Sequence, residues 1–209
     1  MTAILNQHEN YLQADQAYGF PLLIKNLLSR AKVVSGDKKI HYADKTSYTY
    51  HEFFKRVNRL ANVLKGLNLQ KGDVVAVMDW DTHRYLECYF AIPMCGYILQ
   101  TVNVRLSEDK VLYTINHAKP KALLLNSEFS PMIKSHTQDA PSVEHVIWLD
   151  DNNTPMPSYA QGEYEAMLAQ ASDEYEFEDF DENTIATTFY TSGTTGNPKG
   201  VFFSHRQIV

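Results

Sequence analysis

The fold is decided by residues 74–102, which read VVAVMDWDTHRYLECYFAIPMCGYILQTV. Val74–Met78 is a continuous apolar and largely β-branched run, which is typical of a strand buried on both faces of a sheet. A helix is predicted for Thr82–Cys95, with Pro93 bending or ending it. Tyr97–Val102 is the next apolar strand. Strands that alternate with helices predict βαβ units on a mostly parallel sheet.

The same alternation continues on both sides of this unit. Upstream, the sequence predicts a helix at Phe20–Ala31, with Pro21 near its first turn. A hairpin is predicted to follow, with strands Lys39–Tyr42 and Ser47–Tyr50, and then a helix that begins with the capping box Thr49 to Glu52. Downstream, it predicts helices at Ser107–His117, Phe129–Thr137 and Glu163–Gln170, strands at Ala122–Leu125, Val143–Leu149, Thr184–Tyr190 and Val201–Phe203, and a helix that begins at His205 behind the capping box Ser204 to Gln207. The predicted fold class is α/β, a mostly parallel sheet with helices on both faces.

The net charge of −6 comes from one segment of the 209-residue chain. Ser172–Asn183 holds seven acidic side chains and no basic one, so the rest of the chain carries +1. A nucleic-acid-binding face would need clustered Lys and Arg, and we therefore expect no nucleic-acid partner. The acidic run is interpreted as a solvated linker before a strand, with a partner-binding segment as the alternative.

The sequence predicts neither secretion nor a transmembrane segment. Met1–Gln13 lacks a basic start followed by an apolar core, and the longest apolar stretch, Phe90–Leu99, is interrupted and too short to cross a bilayer. Cys88 and Cys95 lack metal-ligand spacing and could not form a disulfide along one helix. We expect reduced core cysteines and a cytoplasmic protein.

A second stretch, residues 190–200, carries the functional signal. It reads YTSGTTGNPKG and holds three glycines, four serine or threonine hydroxyls and one lysine. Glycine permits positive φ and lets a ligand approach the backbone, so several N–H groups can point at one anion. Lys199 adds a compact positive charge that suits a polyphosphate. The stretch therefore predicts a phosphate-binding loop.

This loop is neither of the two commonest nucleotide loops. Lys199 lies between Pro198 and Gly200, whereas a Walker loop needs Ser or Thr after the lysine. The dinucleotide fingerprint needs a further glycine two positions upstream of Gly193 or Gly196. At every defined position the loop resembles the signature of the adenylate-forming acyl-CoA ligase superfamily, the AMP-dependent synthetases and ligases, Thr-Ser-Gly-Thr-Thr-Gly-x-Pro-Lys-Gly.

Weaker similarities to the same superfamily follow in order along the chain, at residues 46–53, 71–77, 90–96 and 103–106. Trp80–Glu87 and Asn116–Ala118 are similar to the medium- and long-chain fatty-acyl-CoA ligase branch. The resemblance implies the N-terminal part of the large domain of an AMP-forming fatty acid–CoA ligase. Such an enzyme uses ATP, Mg²⁺ and coenzyme A: the fatty acid carboxylate forms acyl-AMP, and the CoA thiol then displaces AMP.

The resemblance also assigns the loop residues. Seven of them are expected to contact the ATP phosphates: Thr191, Ser192, Gly193, Thr194, Thr195, Gly196 and Lys199. Thr191 is further expected to help hold Mg²⁺, because one hydroxyl together with phosphates and waters suits that ion. Tyr190 is interpreted as an aromatic residue that closes a buried strand, and Pro198 as a residue that rigidifies the loop exit.

Two other places are candidates for ligand contact, each with a structural alternative. Asp79 to His83 follow a buried strand at its carboxyl end, where open α/β sheets bind ligands. Asp81 or Thr82 can equally cap the next helix, and this interpretation is favoured. His205 could face an acyl site or a subunit partner, or could simply begin a helix.

The resemblance implies that residues 1–209 are an incomplete N-terminal domain, with a possible linker at 150–183 and a C-terminal lid domain beyond the chain. We expect no complete catalytic site here and no activity of the chain alone. ATP, fatty acid and CoA are the expected partners, with a homodimer as a further possibility. Two alternatives stay open: another carboxylate-adenylating enzyme (an aryl-CoA ligase, a luciferase-like enzyme or a carrier-protein adenylation domain), and a non-catalytic nucleotide-binding scaffold.

Overall fold

The computed structural model describes residues 19–191 and 196–209. The strands are β1 Lys39–Tyr42, β2 Thr46–Thr49, β3 Val74–Met78, β4 Ile98–Thr101, β5 Ala122–Asn126, β6 His145–Leu149, β7 Gly162–Glu163, β8 Ile185–Thr191 and β9 Lys199–Ser204. The helices are α1 Lys25–Ser35, α2 Tyr50–Gly66, α3 His83–Met94, α4 Glu108–Ala118, α5 His136–Asp139, α6 Tyr164–Gln170 and α7 His205–Ile208. A 3₁₀ helix spans Ser127–Met132.

Seven of these strands form one sheet in the order β7-β6-β5-β3-β4-β8-β9. Neighbouring strands from β7 to β8 are parallel, and only β9 runs antiparallel, against β8. The unit β3-α3-β4 places its two strands side by side, with Val74 opposite Ile98. The predicted mostly parallel α/β sheet is confirmed.

Both faces of the sheet are covered by helices, as the sequence predicted. Alternate residues of β3 separate the two cores, because successive side chains on a strand point to opposite faces. Val75 and Val77 pack with the buried faces of α2, α3 and α6, whereas Ala76 and Met78 pack with α4 and the 3₁₀ helix. The apolar spacing of α2 is therefore a core face, and each fully buried side chain such as Leu60 contributes about 1.5–3 kcal/mol through burial.

A buried carboxylate joins four elements on one side of the sheet. Glu87 of α3 is 0% exposed. It accepts hydrogen bonds from the Tyr48 hydroxyl at 2.9 Å, from Arg56 Nε at 2.6 Å and from the Tyr164 hydroxyl at 2.6 Å. Arg56 also binds Glu165, and although burial raises the pKa of Glu165, hydrogen bonds from His83 and Arg56 lower it to about 2. These contacts fix the β1–β2 hairpin, α2 and α6 around α3.

The acidic segment, residues 172–183, is docked and differs from the solvated linker that was expected. Its odd-numbered residues from Asp173 to Phe177 are half-buried, and the even-numbered ones are exposed. Asn62 of α2 donates hydrogen bonds to the carbonyls of Ser172 and Glu174, both at 2.9 Å, and Lys25 forms an ion pair with Asp179 at 2.8 Å. Five of the seven acidic side chains stay exposed, while these contacts hold the backbone of the segment in place.

Two predicted helices have different bounds in the structure. The prediction of one helix at Phe129–Thr137 is wrong, because this part of the chain forms the 3₁₀ helix Ser127–Met132 and the short α5. Pro131 lies within that 3₁₀ helix, and proline has no N–H for an α-helical hydrogen bond. Helix α1 begins at Lys25 and not at Phe20, because the N–H of Leu22 binds Glu182 and the N–H of Ile24 binds His205.

Cys88 and Cys95 are free and buried, as expected. Burial raises the pKa of both thiols, to about 12 for Cys95. Both are therefore protonated core residues at neutral pH. In the described ranges, no helix is long and apolar enough to cross a membrane.

Candidate functional site

The candidate phosphate loop connects two antiparallel strands at the carboxyl end of β8. Its base is the register pair Thr191 and Lys199, the last pair of β8 and β9. Residues that face each other in an antiparallel pair place their side chains on the same face. Thr191 and Lys199 are both exposed, and the Thr191 hydroxyl lies 3.5 Å from the Lys199 carbonyl oxygen. The structure thus brings together two of the seven predicted contacts.

The other predicted contacts divide into two groups. Ser192, Gly193, Thr194 and Thr195 lie outside the described residues. Gly196 is described and has a φ of +102°, a conformation that L side chains rarely adopt. The backbone conformation at position 196 therefore favours glycine, as expected for a loop of this composition.

The electrostatics of the loop base favour an anion. Among residues 19–191 and 196–209, no carboxylate lies within ion-pair distance of Lys199. Pro198, directly before it, is buried. The lysine is therefore an exposed cation on an anchored backbone, an arrangement that suits an anion such as a phosphate.

Tyr190 closes the buried face of β8, as predicted. Its side chain is 8% exposed, and its hydroxyl lies 2.8 Å from His117 Nδ1 on α4. The two rings are perpendicular, with centroids 5.7 Å apart. Tyr190 thus points away from the exposed face that carries Thr191 and Lys199.

A second polar group lies at the same edge of the sheet, at the ends of β3 and β5. Asp79 is 4% exposed and accepts hydrogen bonds from the Thr82 hydroxyl and from Asn126 Nδ2, each at 2.6 Å. Burial raises the pKa of Asp79, while these hydrogen bonds and the nearby Arg84 oppose the shift. Thr82 accepts a hydrogen bond from the N–H of Tyr85, so the prediction that it caps α3 is confirmed.

This polar group is close to the loop without touching it. One strand, β4, separates β3 from β8, so the ends of β3 and β8 are about 10 Å apart at normal strand spacing. A cleft of about 150 Å³ lies beside the end of β4 and is lined by Asp79, Trp80, Asn103 and Arg105, among others. The guanidinium of Arg105 lies 6.0 Å from the centre of the Trp80 ring.

His205 has a structural place and not a ligand-facing one. It is 0% exposed, its Nδ1 accepts a hydrogen bond from the N–H of Ile24 at 3.3 Å, and the Phe180 ring packs edge-on against it. Burial lowers the pKa of His205 to about 4. The interpretation of His205 as a residue at a helix start without a ligand role is favoured by this burial.

Sequence reasoning missed two partners in these groups. Asn126 follows an apolar strand at its carboxyl end, and that position was a usable signal for a polar residue beside Asp79. His117 lies in the motif Asn116–Ala118, but nothing local indicated its contact with Tyr190, which is 73 positions away in the sequence.

The fold defines the class, an α/β protein with a mostly parallel sheet, and comparison with known proteins gives the family. The family model of AMP-binding enzymes matches residues 28–209. The chain belongs to this family, whose curated members similar to it are acyl- and aryl-CoA ligases.

Individual relatives agree with this assignment. The chain is 34% identical over 194 residues to a medium-chain-fatty-acid–CoA ligase of Ectopseudomonas oleovorans, covering 90% of this chain and 36% of that protein. It is 31% identical over 195 residues to a 3-methylmercaptopropionyl-CoA ligase of Ruegeria lacuscaerulensis, with the same coverage. The crystal structure of the anthranilate CoA ligase AuaEII shares the fold, with a TM-score of 0.81 and 24% identity over 90% of this chain and 36% of the other. The chain thus spans about a third of the length of these relatives.

Proposed function

We propose that this chain carries the phosphate-binding hairpin of an AMP-forming fatty acid–CoA ligase. One observation carries the proposal: the β8–β9 hairpin presents Thr191 and Lys199 on one exposed face, at the edge of the sheet where the strands β3, β4 and β8 end. Family membership supports ATP as the bound nucleotide. The similarity to a medium-chain-fatty-acid–CoA ligase supports a fatty acid as the second substrate.

The reaction has two steps. The carboxylate attacks the α-phosphorus of ATP and expels pyrophosphate, which leaves acyl-AMP. The thiol of coenzyme A then attacks the acyl carbon and expels AMP. The first step brings an anion to a polyanion, so its barrier is strongly electrostatic. Lys199 and the loop donors would bind the β- and γ-phosphates and stabilise the charge that leaves with pyrophosphate.

Magnesium fits the residues at the loop base in a limited way. Mg²⁺ takes oxygen ligands and keeps several waters when it binds with phosphates. Thr191 offers an exposed hydroxyl beside Lys199, and the described ranges hold no cluster of three or more His, Cys, Asp or Glu residues that could bind a metal. Thr191 would thus be one ligand of an ion held mainly by the phosphates, and the ion would supply charge neutralisation.

The acid specificity is tested with the full-length gene product. Acid-dependent exchange of pyrophosphate into ATP should occur with fatty acids, and its rate should depend on chain length. Benzoate and 3-methylmercaptopropionate serve as competing acids of the kinds that relatives are named for. If the enzyme preferred either of these acids, the proposed substrate would be that class of acid and not a fatty acid. No exchange with any carboxylate would contradict the adenylation reaction. We expect the 209-residue chain alone to show no exchange.

The role of Lys199 is tested by separating the two half-reactions. Lys199→Ala should slow acyl-AMP formation about 100-fold, which is typical for loss of one transition-state donor. Thioester formation from supplied acyl-AMP should change little, because that step has no β- or γ-phosphate. Lys110→Ala is the matched control, since Lys110 is an exposed lysine on α4. Equal losses in both half-reactions of Lys199→Ala would contradict the assigned role.

A further inference from the structure

The fatty-acyl-CoA ligase-like motif Asn116–Ala118 lies at the end of α4, and its histidine meets the strand that leads into the phosphate loop. His117 Nδ1 is 2.8 Å from the Tyr190 hydroxyl. The ring of Tyr113, one turn earlier on α4, stacks on His117 with centroids 5.7 Å apart and an angle of 29°. His117 is therefore held between two tyrosine rings.

The helix end that carries His117 is itself fixed. Asn116 Nδ2 donates a hydrogen bond to the Asp139 carbonyl at 2.7 Å, and Lys119, the residue after the helix, is left-handed with a φ of +53°. The N–H of Lys119 closes the helix on the Ile115 carbonyl. His117 thus offers a fixed hydrogen-bonding atom and not a freely moving one.

The hydrogen bond joins two groups that can each take either role. Whether the Tyr190 hydroxyl or His117 Nδ1 donates is set by the tautomer of His117, because a neutral tyrosine hydroxyl can both donate and accept. Either arrangement ties the Tyr190 ring to α4.

Tyr190 lies on β8 at the base of the loop. It directly precedes Thr191, and its register partner on β9 is Gly200. A Cβ placed on Gly200 would lie 3.5 Å from Cε1 and Cζ of the Tyr190 ring, so the ring lies over Gly200. The ring is thus next to both strands of the hairpin, one residue from Thr191 and one residue from Lys199.

We propose that His117 is a positioning residue for the phosphate loop, and that it acts by holding Tyr190 at the base of the β8–β9 hairpin. His117 contacts no phosphate in this account. It sets the place from which Thr191 and Lys199 approach the nucleotide, because a misplacement of about 1 Å can lower the reaction rate by up to about 100-fold. This inference rests on the proposed function, since it assigns a role within the same ATP site.

The test uses the full-length gene product and four variants. Tyr190→Phe removes only the hydroxyl, and His117→Leu removes the hydrogen-bonding atom. His117→Asn restores a hydrogen-bonding atom, because its side-chain amide reaches about the place of Nδ1 and can donate or accept. Tyr113→Phe is the control, since it keeps the stacked ring. The readouts are kcat/KM for ATP in pyrophosphate exchange, the rate of thioester formation from supplied acyl-AMP, and the melting temperature.

We expect Tyr190→Phe and His117→Leu to lower kcat/KM for ATP about 2- to 12-fold, the range for one hydrogen bond, with thioester formation unchanged. His117→Asn and Tyr113→Phe should stay near the wild type. Unchanged kcat/KM in Tyr190→Phe overturns the inference, as does an equal loss in both half-reactions, which is what a merely structural role gives. If His117→Leu does not fold, Tyr190→Phe decides. Wild-type protein without acid-dependent exchange overturns the proposed function and this inference with it.

Discussion

The hydroxyl of Tyr164 offers a direct test of the buried Glu87 cluster. Tyr164 is 0% exposed, and its hydroxyl donates to Glu87 Oε2 at 2.6 Å. Tyr164→Phe removes this oxygen and keeps the ring. The same carboxylate oxygen then retains one contact, to Arg56 Nη2 at 3.3 Å, and Glu87 is 0% exposed. A hydrogen bond to a charged group contributes about 1.5–3 kcal/mol, and full burial argues for the upper half of that range.

We therefore expect Tyr164→Phe to lower the free energy of unfolding by about 2–3 kcal/mol. Urea unfolding followed by circular dichroism measures it, with the dependence on urea concentration unchanged. Tyr48→Phe should cost less, because its hydroxyl is 2.9 Å from Glu87 and its side chain is 8% exposed. Tyr89→Phe is the control, since Tyr89 is 45% exposed. A loss below about 0.5 kcal/mol for Tyr164→Phe would refute a hydrogen bond to a buried charge.

Two further predictions concern pH and the loop backbone. Burial lowers the pKa of His205 from 6.5 to about 4. Between these two pH values the unfolded chain binds a proton that the folded chain does not. The free energy of unfolding should therefore fall by about 3 kcal/mol as the pH drops from 6.5 to 4. The difference between the urea midpoints at pH 5 and pH 7.5 should be smaller in His205→Asn than in the wild type. In the control His41→Asn, where the histidine is exposed, it should equal that of the wild type. A difference in His205→Asn as large as in the wild type would contradict this prediction. Gly196→Ala should raise the KM for ATP, because the φ of +102° puts a strain of about 1–3 kcal/mol on any residue with a side chain. Gly66→Ala should leave the KM unchanged, and a Cβ at either position meets no atom of residues 19–191 and 196–209 within 4 Å. Equal KM values in these two variants would exclude backbone strain as the cause.

Features of the fold that depend on neighbouring residues could be predicted from the sequence. Both predicted capping boxes form, Thr49 with Glu52 and Ser204 with Gln207, because each needs only residues three positions apart. The strand Val74–Met78 has the predicted bounds, since a continuous apolar run is specific to a strand covered on both faces. The glycine at position 196 could be assigned to a turn for the same local reason.

Features that depend on distant contacts could not be predicted. The acidic segment is held by Asn62, 110 positions from Ser172, and composition alone favoured a solvated linker. Glu87 lies on a helix whose apolar spacing says nothing of a buried charge, because its partners come from α2, β2 and α6. The 3₁₀ helix at Ser127–Met132 replaced an α-helix where Pro131 removed a donor. In the candidate site, the loop residues were predicted from their own chemistry, whereas the contact of His117 with Tyr190 was not predicted.

The central claim is that the β8–β9 hairpin binds the triphosphate of ATP. The most direct measurement is a crystal structure of the full-length gene product with MgATP. We predict phosphate oxygens at about 2.7–3.2 Å from Lys199 Nζ, with the nucleotide lying over the face of the hairpin that carries Thr191. A nucleotide bound elsewhere, with the hairpin facing only solvent or a neighbouring chain, would contradict the account.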